Sequence, residues 1–406
     1  MNALLMKGVT IIDGTGAPPL PDAFLRVEGG RISAVGRMSD LREDQGGEDV
    51  LALEGRTVLP GLINAHEHLT FRRYHGTFQD VVMGWSDARL MLHGAASCLA
   101  SLSEGITTVR DIGGKGLSNI LLKEAVADGS LIGPRILADG SPIAMTGGHG
   151  WQICREVDSP DEARLAAREL LLAGADFIKC MASGGFVAHG QDQPGSQQLT
   201  TEEMRAAFDE AHRIGRRTTV HAHPPTAIRA AIEAGVDCVE HGGLLDDATA
   251  ELMAAKGVYL VPTLSALRIT AEKGAQMGRP AWLVEVSQKR APAQIATFQK
   301  AVRAGVKIVT GVDSIGEMVR EMELLMEGGL SPMDTIVAAT SRAAQCLDIA
   351  DSVGSIEVGK CADLIVVAGN PLTNIRALDN IEWVLKDGKR YRPDDLRAMI
   401  GTKVGT

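Results

Sequence analysis

The chain alternates between two kinds of segment. Stretches of helical period end in a glycine, and each glycine is followed by a short, nearly unbroken run of β-branched and apolar residues. The unit recurs as Glu104-Gly-Ile-Thr-Thr-Val, Ala173-Gly-Ala-Asp-Phe-Ile, Ile214-Gly-Arg-Arg-Thr-Thr-Val, Ala234-Gly-Val-Asp-Cys-Val, Lys256-Gly-Val-Tyr-Leu-Val and Ala304-Gly-Val-Lys-Ile-Val. A glycine at that place fits the left-handed conformation that closes a helix. The run after it has the length and composition of a strand buried on both faces. Residues 162–172, 202–213 and 226–233 carry the intervening helical pattern. Alternating helices and buried strands predict a parallel sheet.

Eight such strands are expected, near residues 58–66, 106–111, 135–140, 176–182, 217–222, 237–241, 258–263 and 307–313. Eight units predict a closed (β/α)8 barrel of the TIM type, although an open doubly wound sheet satisfies the same count. The two ends read differently. Residues 1–57 and 355–406 show alternating apolar runs broken by turns, as in Phe24-Leu-Arg-Val-Glu-Gly-Gly-Arg-Ile-Ser-Ala-Val and Gly354-Ser-Ile-Glu-Val-Gly-Lys-Cys-Ala-Asp-Leu-Ile-Val-Val. Neither end is long enough to bury a good core alone. They are expected to pack together as one small β-sandwich domain beside a barrel spanning 58–354.

Composition narrows the possible functions. Aromatic residues are only 3% of the chain, so Val, Ile, Leu and Ala must fill the core. A net charge of −10 argues against nucleic acid or an anionic membrane as the main partner. The six cysteines form no CxxC pair, so neither a zinc knuckle nor a disulfide framework is suggested. The first residues are too briefly apolar for a signal peptide, and no run approaches the ~20 apolar residues of a membrane span, so a cytoplasmic protein is expected.

The chemistry gathers at the strand ends. His66 and His68, in Leu62-Ile-Asn-Ala-His-Glu-His, lie two apart at the end of the first strand, where both imidazoles face one side. By itself that pair carries little, since ordinary histidines also occur at this spacing. Lys179 follows Asp176-Phe-Ile, His221 follows Thr218-Thr-Val, His241 follows Cys238-Val-Glu and Asp313 follows Val309-Thr-Gly-Val. All of these sit at the C-terminal ends of expected strands, the rim that carries barrel active sites. Neutral imidazoles and a carboxylate converging there are a metal-binding donor set. Lys179 stays open on residue type alone. It reads as a substrate-binding lysine, as a buried lysine paired with an acid, or as an amine that adds carbon dioxide and becomes an anionic carbamate.

These motifs, together with Pro60-Gly-Leu-Ile-Asn-Ala-His-Glu-His, His241-Gly-Gly, Gly311-Val-Asp-Ser and Ala338-Ala-Thr-Ser-Arg-Ala-Ala, resemble the amidohydrolase superfamily over nearly the whole chain. Asp176-Phe-Ile-Lys-Cys-Met-Ala-Ser-Gly-Gly and Val220-His-Ala-His look like its Xaa-Pro and Xaa-Arg dipeptidase subgroup, which includes ochratoxin-hydrolysing amidases. The resemblance implies two divalent cations, with zinc first among the candidates. His66, His68 and Asp313 would hold one, His221 and His241 the other, and a carboxylated Lys179 would bridge them. It implies hydrolysis of an amide bond in a dipeptide or N-acyl amino acid by metal-activated hydroxide, with Asp313 as the catalytic general base and then acid. His149, in Met145-Thr-Gly-Gly-His-Gly-Trp, and His223 are the candidates to bind a substrate carboxylate, against the alternatives of a solvated loop histidine and a support for His221. Arg72, Arg73, Tyr74, His75 and Arg268 are weaker candidates for an anion, and residues 186–198 for a loop over the site. His93 and His212 read as bystanders. Association into homo-oligomers is expected.

Rival readings remain within the superfamily. A mononuclear deaminase or a cyclic-amide hydrolase is the first alternative; the mononuclear deaminases typically lack the lysine and place a glutamate three residues beyond the strand-five histidine. Here Lys179 is present and Pro224 occupies that position. Carbamate and lactone hydrolases share the full constellation. A non-enzymatic scaffold predicts lost ligands, whereas all six positions are filled.

Overall fold

The structure, a computed structural model, describes residues 3–42, 47–186 and 192–400. Eighteen strands are formed among them. Both chain ends contribute to one mixed sheet: β1 (Leu4–Ile11), β2 (Leu20–Glu28), β3 (Arg31–Arg37), β4 (Asp49–Ala52) and β5 (Arg56–Pro60) come from the first part of the chain. The inner strands follow: β6 (Leu62–Glu67), β7 (Ile106–Asp111), β8 (Arg135–Ala138), β9 (Ile143–Met145), β10 (Arg155–Val157), β11 (Phe177–Met181), β12 (Arg217–Ala222), β13 (Cys238–His241), β14 (Tyr259–Val261) and β15 (Lys307–Ile308). Finally β16 (Leu364–Ala368), β17 (Ile381–Lys386) and β18 (Lys389–Tyr391) return to the first sheet. That sheet has the order β18-β17-β16-β5-β1-β2-β3, with β4 beside β1. Leu4, Met6, Val9, Leu25, Val58, Leu364 and Val366 form its core.

The inner strands make two parallel ladders, β6-β7-β8 and β10-β9-β11-β12-β13-β14-β15. Backbone hydrogen bonds connect them at both margins. Ala65 N donates to the Thr310 carbonyl at 3.0 Å and Val312 N to the His66 carbonyl at 3.1 Å, while Asp176 N donates to the Ala138 carbonyl at 2.8 Å. The fold is TIM-barrel-like, with all eight expected inner strands present. The helices pack outside these strands, where Val220, Val239, Leu260 and Ile308 meet Ala207, Phe208 and Ala231.

The local reasons are those of the repeat. Gly105, Gly174, Gly215, Gly235, Gly257 and Gly305 all have φ between 70° and 101°, the left-handed turn from helix to strand. Thr200 and Glu203 form a reciprocal capping box at the start of helix Thr201–Arg213. Ser159 accepts from Glu162 N, with Pro160 opening helix Pro160–Leu172. Strands β6, β7 and β11 are buried along their whole length, as unalternating apolar runs require.

Two expectations need correction. The strand anticipated at 58–66 is two strands: β5 pairs with β1 and β16 in the terminal sheet, and only β6 belongs to the inner array. Strand pairing therefore switches from the terminal sheet to the inner array at Gly61. The cause is steric, because a Cβ on Gly61 would lie 2.1 Å from Thr107 Oγ1 and 2.3 Å from its Cγ2. The short strands β9 and β10 were not anticipated, since three residues give no readable period.

Replacing Gly61 by Ala is expected to lower unfolding stability by ~1–3 kcal/mol, the usual effect of overpacking a tight site. Adding Thr107→Ala should recover part of that loss in urea denaturation. A neutral Gly61→Ala would show that the junction relaxes and that the close approach does not set the boundary.

Candidate functional site

Five side chains of the expected set converge around Lys179 at the C-terminal rim. His66 lies in β6 and His68 just beyond it, Lys179 in β11, His221 in β12, His241 at the end of β13, and Asp313 in the turn after β15. Ligand atoms of His66, His241 and Asp313 fall within 4.8 Å of one another. His66 Nε2 is 3.9 Å from Asp313 Oδ2, and His68 Nε2 is 3.9 Å from Asp313 Oδ1. The rings of His221 and His241 are 4.6 Å apart, and those of His66 and His241 4.8 Å.

Each imidazole is oriented by a hydrogen bond on its far nitrogen. His66 Nδ1 is 2.7 Å from Glu240 Oε2, and His68 Nδ1 is 2.8 Å from the Gly113 carbonyl. His241 Nδ1 is 2.7 Å from Thr263 Oγ1, and His221 Nε2 is 3.3 Å from the Gly184 carbonyl. A ring that donates through one nitrogen presents the lone pair of the other, which fixes the tautomer a metal ion needs. Burial reinforces this by opposing protonation. It pushes His66 down, His68 down to about 4, and His221 and His241 well below the ordinary histidine value. The ligand-competent neutral form therefore persists at neutral pH. Asp313 stays below the usual carboxylate range: burial pushes it up, but the pull of His66 and His68 when they protonate in acid, the Ser314 backbone N–H and Lys179 together outweigh that effect.

Lys179 is 1% exposed, and burial lowers its pKa. Among the described residues no carboxylate lies within ion-pair distance of its amine, although Glu240, Asp139 and Asp313 act on it from further away. The reading of Lys179 as half of a salt bridge with an acid thus loses its partner. An amine whose protonated form is disfavoured by burial, ringed by imidazole donors and a carboxylate, suits a metal centre, and the donor set of this site fits divalent cations.

The other candidates separate cleanly. His149 is no solvated loop residue: its Nδ1 is 2.8 Å from Asp192 Oδ2, its backbone N donates to Gln198 Oε1 at 2.8 Å, and its ring stacks 4.1 Å from that of His221. His223 is buried, pushed down to about 3 by burial, and its Nδ1 has no hydrogen-bond partner. Arg72 and Arg73 do not face an incoming anion. Arg72 binds Glu67 and Glu104, and Arg73 binds Glu104. Tyr74 lies under Arg279, and Arg268 turns toward Glu327. His93 Nε2 donates to the Arg72 carbonyl at 2.7 Å, and His212 pairs with Asp237. Of the anticipated loop 186–198, residues 187–191 lie outside the described residues.

Reading the sequence missed the supports. Glu240 binds His66 through Oε2, while its Oε1 accepts from Arg110 Nη2 at 2.6 Å and from Thr219 Oγ1. Arg110 Nε donates to the Ala65 carbonyl at 2.6 Å. Arg110 first, then His66, hold the Glu240 carboxyl down to about 2 against its burial. The only available signal was a glutamate and an arginine inside otherwise apolar strand runs.

The sequence profile of the Amidohydrolase family matches residues 57–391. The chain belongs to the amidohydrolase family. It is accordingly a hydrolase acting on amide C–N bonds, and ochratoxinase of Aspergillus niger is 30% identical to it over 94% of this chain and 85% of that one. The crystal structure of a Xaa-Pro dipeptidase with bound methionine in its active site superposes with a TM-score of 0.86 at 33% identity, covering 96% of this chain and 100% of that one. A prolidase complexed with N-methylphosphonate-L-proline gives 0.88 at 31% identity, again covering 96% and 100%.

Replacing Glu240 by Gln keeps the shape of this amidohydrolase's interior but leaves Arg110 uncompensated. Zinc affinity, measured by titration of the purified apoprotein, is expected to fall about 10- to 100-fold. Unfolding stability should drop by ~3–5 kcal/mol, as when one partner of a buried pair is lost. Unchanged zinc affinity would show that Glu240 does not hold His66.

Proposed function

We propose that this protein is a binuclear metal-dependent amidohydrolase that cleaves a dipeptide or N-acyl amino acid and releases an amino acid with a free carboxylate. The observation that carries the reading is the buried, unpaired Lys179 inside a ring of four oriented imidazoles and Asp313. In this reading, on a closed (β/α)8 barrel, His66, His68 and Asp313 would hold one cation, His221 and His241 would hold the second, and a carboxylated Lys179 would offer an oxygen to each. Zinc or a similar cation bound there supplies a Lewis acid for the carbonyl and lowers the pKa of water.

The chain's own residues do the rest. Asp313 takes a proton from the attacking water as the new C–O bond forms. It then delivers that proton to the amide nitrogen as the C–N bond breaks, so the products are a carboxylic acid and an amine. Its low intrinsic pKa keeps it ready as a base at neutral pH. His149 and His223 flank the imidazole ring cluster, which supports a role for both in binding the substrate. The relatives support the class: a Xaa-Pro dipeptidase, a prolidase and an ochratoxinase.

The test is hydrolysis of a library of dipeptides and N-acyl amino acids by enzyme purified with zinc and bicarbonate. Cleavage of carboxylate-terminated amides is expected, with Lys179→Ala inactive. No turnover in the presence of two bound metals per chain would overturn the assignment and point to carbamates, lactones or cyclic amides. Asp313→Asn should reduce kcat by at least ~10²–10⁴-fold while most metal stays bound. Complete metal loss in that variant would instead make Asp313 chiefly a ligand.

A further inference from the structure

The arginines around the rim have almost all found partners. Arg72 and Arg73 pair with Glu67 and Glu104, Arg110 with Glu240, and Arg279 donates to the carbonyls of Tyr74 and Gly76. Arg290, in helix Ala281–Ala304, differs. It is half-buried, yet among the described residues no carboxylate lies within ion-pair distance of it. Residues 187–191, Val-Ala-His-Gly-Gln in the sequence, include no acidic residue.

What Arg290 does have is an aromatic platform. Its Cζ lies 5.0 Å from the centroid of the Phe186 ring, and that ring lies 4.3 Å from the ring of His223. The layer is tightly built: a Cβ on Gly243 would meet Phe186 Cε2 at 2.7 Å and His223 Nδ1 at 2.9 Å. Arg290 is near enough for its positive charge to bear on His223. Beneath the same layer, His223 Nδ1 is buried without a partner, and the His221 and His241 rings are 4.8 Å and 5.1 Å from that of His223. A guanidinium resting on an aromatic face is held planar with its donor fork free, which is the geometry that takes a carboxylate in bidentate fashion. Apart from Lys179 at the centre of the cluster, the basic side chains named here, Arg72, Arg73, Arg110 and Arg279, spend donors on protein groups.

We propose that Arg290 binds the free carboxylate of the substrate's leaving amino acid, positioned by the face of Phe186 and acting beside His223. The inference rests on the amino-acid-releasing reading given above and sharpens it. The carboxylate end of the substrate lies toward helix Ala281–Ala304, and the scissile carbonyl toward Lys179 and Asp313. Lysine at position 290 would keep the charge but lose the stacked, two-pronged geometry.

The experiment compares wild-type zinc enzyme with Arg290→Gln and Arg290→Lys. Calorimetry measures binding of methionine, phenylalanine and proline and of their carboxamides, and kinetics use the N-acetyl derivatives of the same six compounds. Metal content and thermal midpoint are checked in each variant. The wild type should bind at least one of the acids ~10-fold or more tightly than its amide. Arg290→Gln should erase that preference by weakening the acid about 10- to 100-fold, with the kinetic loss carried by KM, and Arg290→Lys should retain part of it. A preference for acids that survives in Arg290→Gln, or a wild type without one, overturns the assignment. The two readings fail separately. Acids bound through Arg290 but no acylated derivative cleaved would sink the proposed reaction and leave the anion site standing. Derivatives cleaved equally by wild type and Arg290→Gln would sink the anion site alone.

Discussion

A carboxylate with no solvent exposure governs this structure. Glu240 is 0% exposed in the middle of β13, a position where an unpaired charge would be prohibitively unfavourable. It is satisfied by groups from three other strands. Arg110 reaches it from β7, Thr219 from β12 and His66 from β6, and Arg110 simultaneously grips the Ala65 carbonyl of β6. The node thus ties together strands that are hydrogen-bonded neighbours only in pairs. Its second consequence is chemical. Because Glu240 occupies His66 Nδ1, only Nε2 is left to face Asp313, and the rim inherits an imidazole of fixed tautomer and direction. Stability and site geometry are two outcomes of one interaction, so they cannot be altered independently at this position.

The rim itself stores backbone strain above that node. Three non-glycine residues at successive strand ends, His241, Thr263 and Asp313, have φ of 73°, 49° and 58°. Such conformations are each unfavourable by ~1–3 kcal/mol and persist only where surrounding contacts over-determine them. The contacts are visible. Thr263 accepts or donates at His241 Nδ1, buried Glu321 accepts from Leu264 N and Ser265 N just beyond it, and Asp313 N donates to the His66 carbonyl at 2.8 Å. The left-handed backbone at His241 and Asp313 turns the chain out of the extended path there, and both side chains lie in the cluster around Lys179. The imidazole and carboxylate that would hold cations are therefore aimed by strain that the neighbouring strands and helix sustain.

The sequence exposed whatever is local and periodic. The six helix-closing glycines, the buried runs after them and the placing of His66, His221, His241 and Asp313 at strand ends all follow from spacing a few residues long, and the structure brings those side chains together. It could not expose features that depend on partners far along the chain. Glu240 and Arg110 are 130 residues apart in sequence, and nothing in either neighbourhood names the other. The position of Gly61 as the joint between two sheets is likewise invisible, because it depends on Thr107 lying across the gap. The weaker arginine candidates have the same origin. Arg72 and Arg73 sit beside the His66 motif and read as greeting an anion, but Glu104, some thirty residues on, claims both. Arg290 lies in an undistinguished helical stretch and gains meaning only from Phe186, more than one hundred residues earlier.

The terminal sheet has more than a packing role in this arrangement. Strand β5 runs through Gly61 directly into β6, so the register of the sheet built from both chain ends sets where β6 begins. Gly61 N donates to the Asp363 carbonyl at 2.8 Å and Leu62 N to the Gly105 carbonyl at 2.9 Å, which pins the joint from both sides. Five residues beyond that joint stands His66, and seven beyond it His68. A one-residue slip of β5 against β16 would carry both imidazoles to the opposite face of β6, since side chains alternate along a strand. The late segment Leu364–Ala368 therefore helps to fix the phase of the first pair of imidazoles, although it lies far from them in sequence. This is a physical reason for both ends of the chain to fold into one sheet, because the strand that opens the site is registered by the segment that closes the chain.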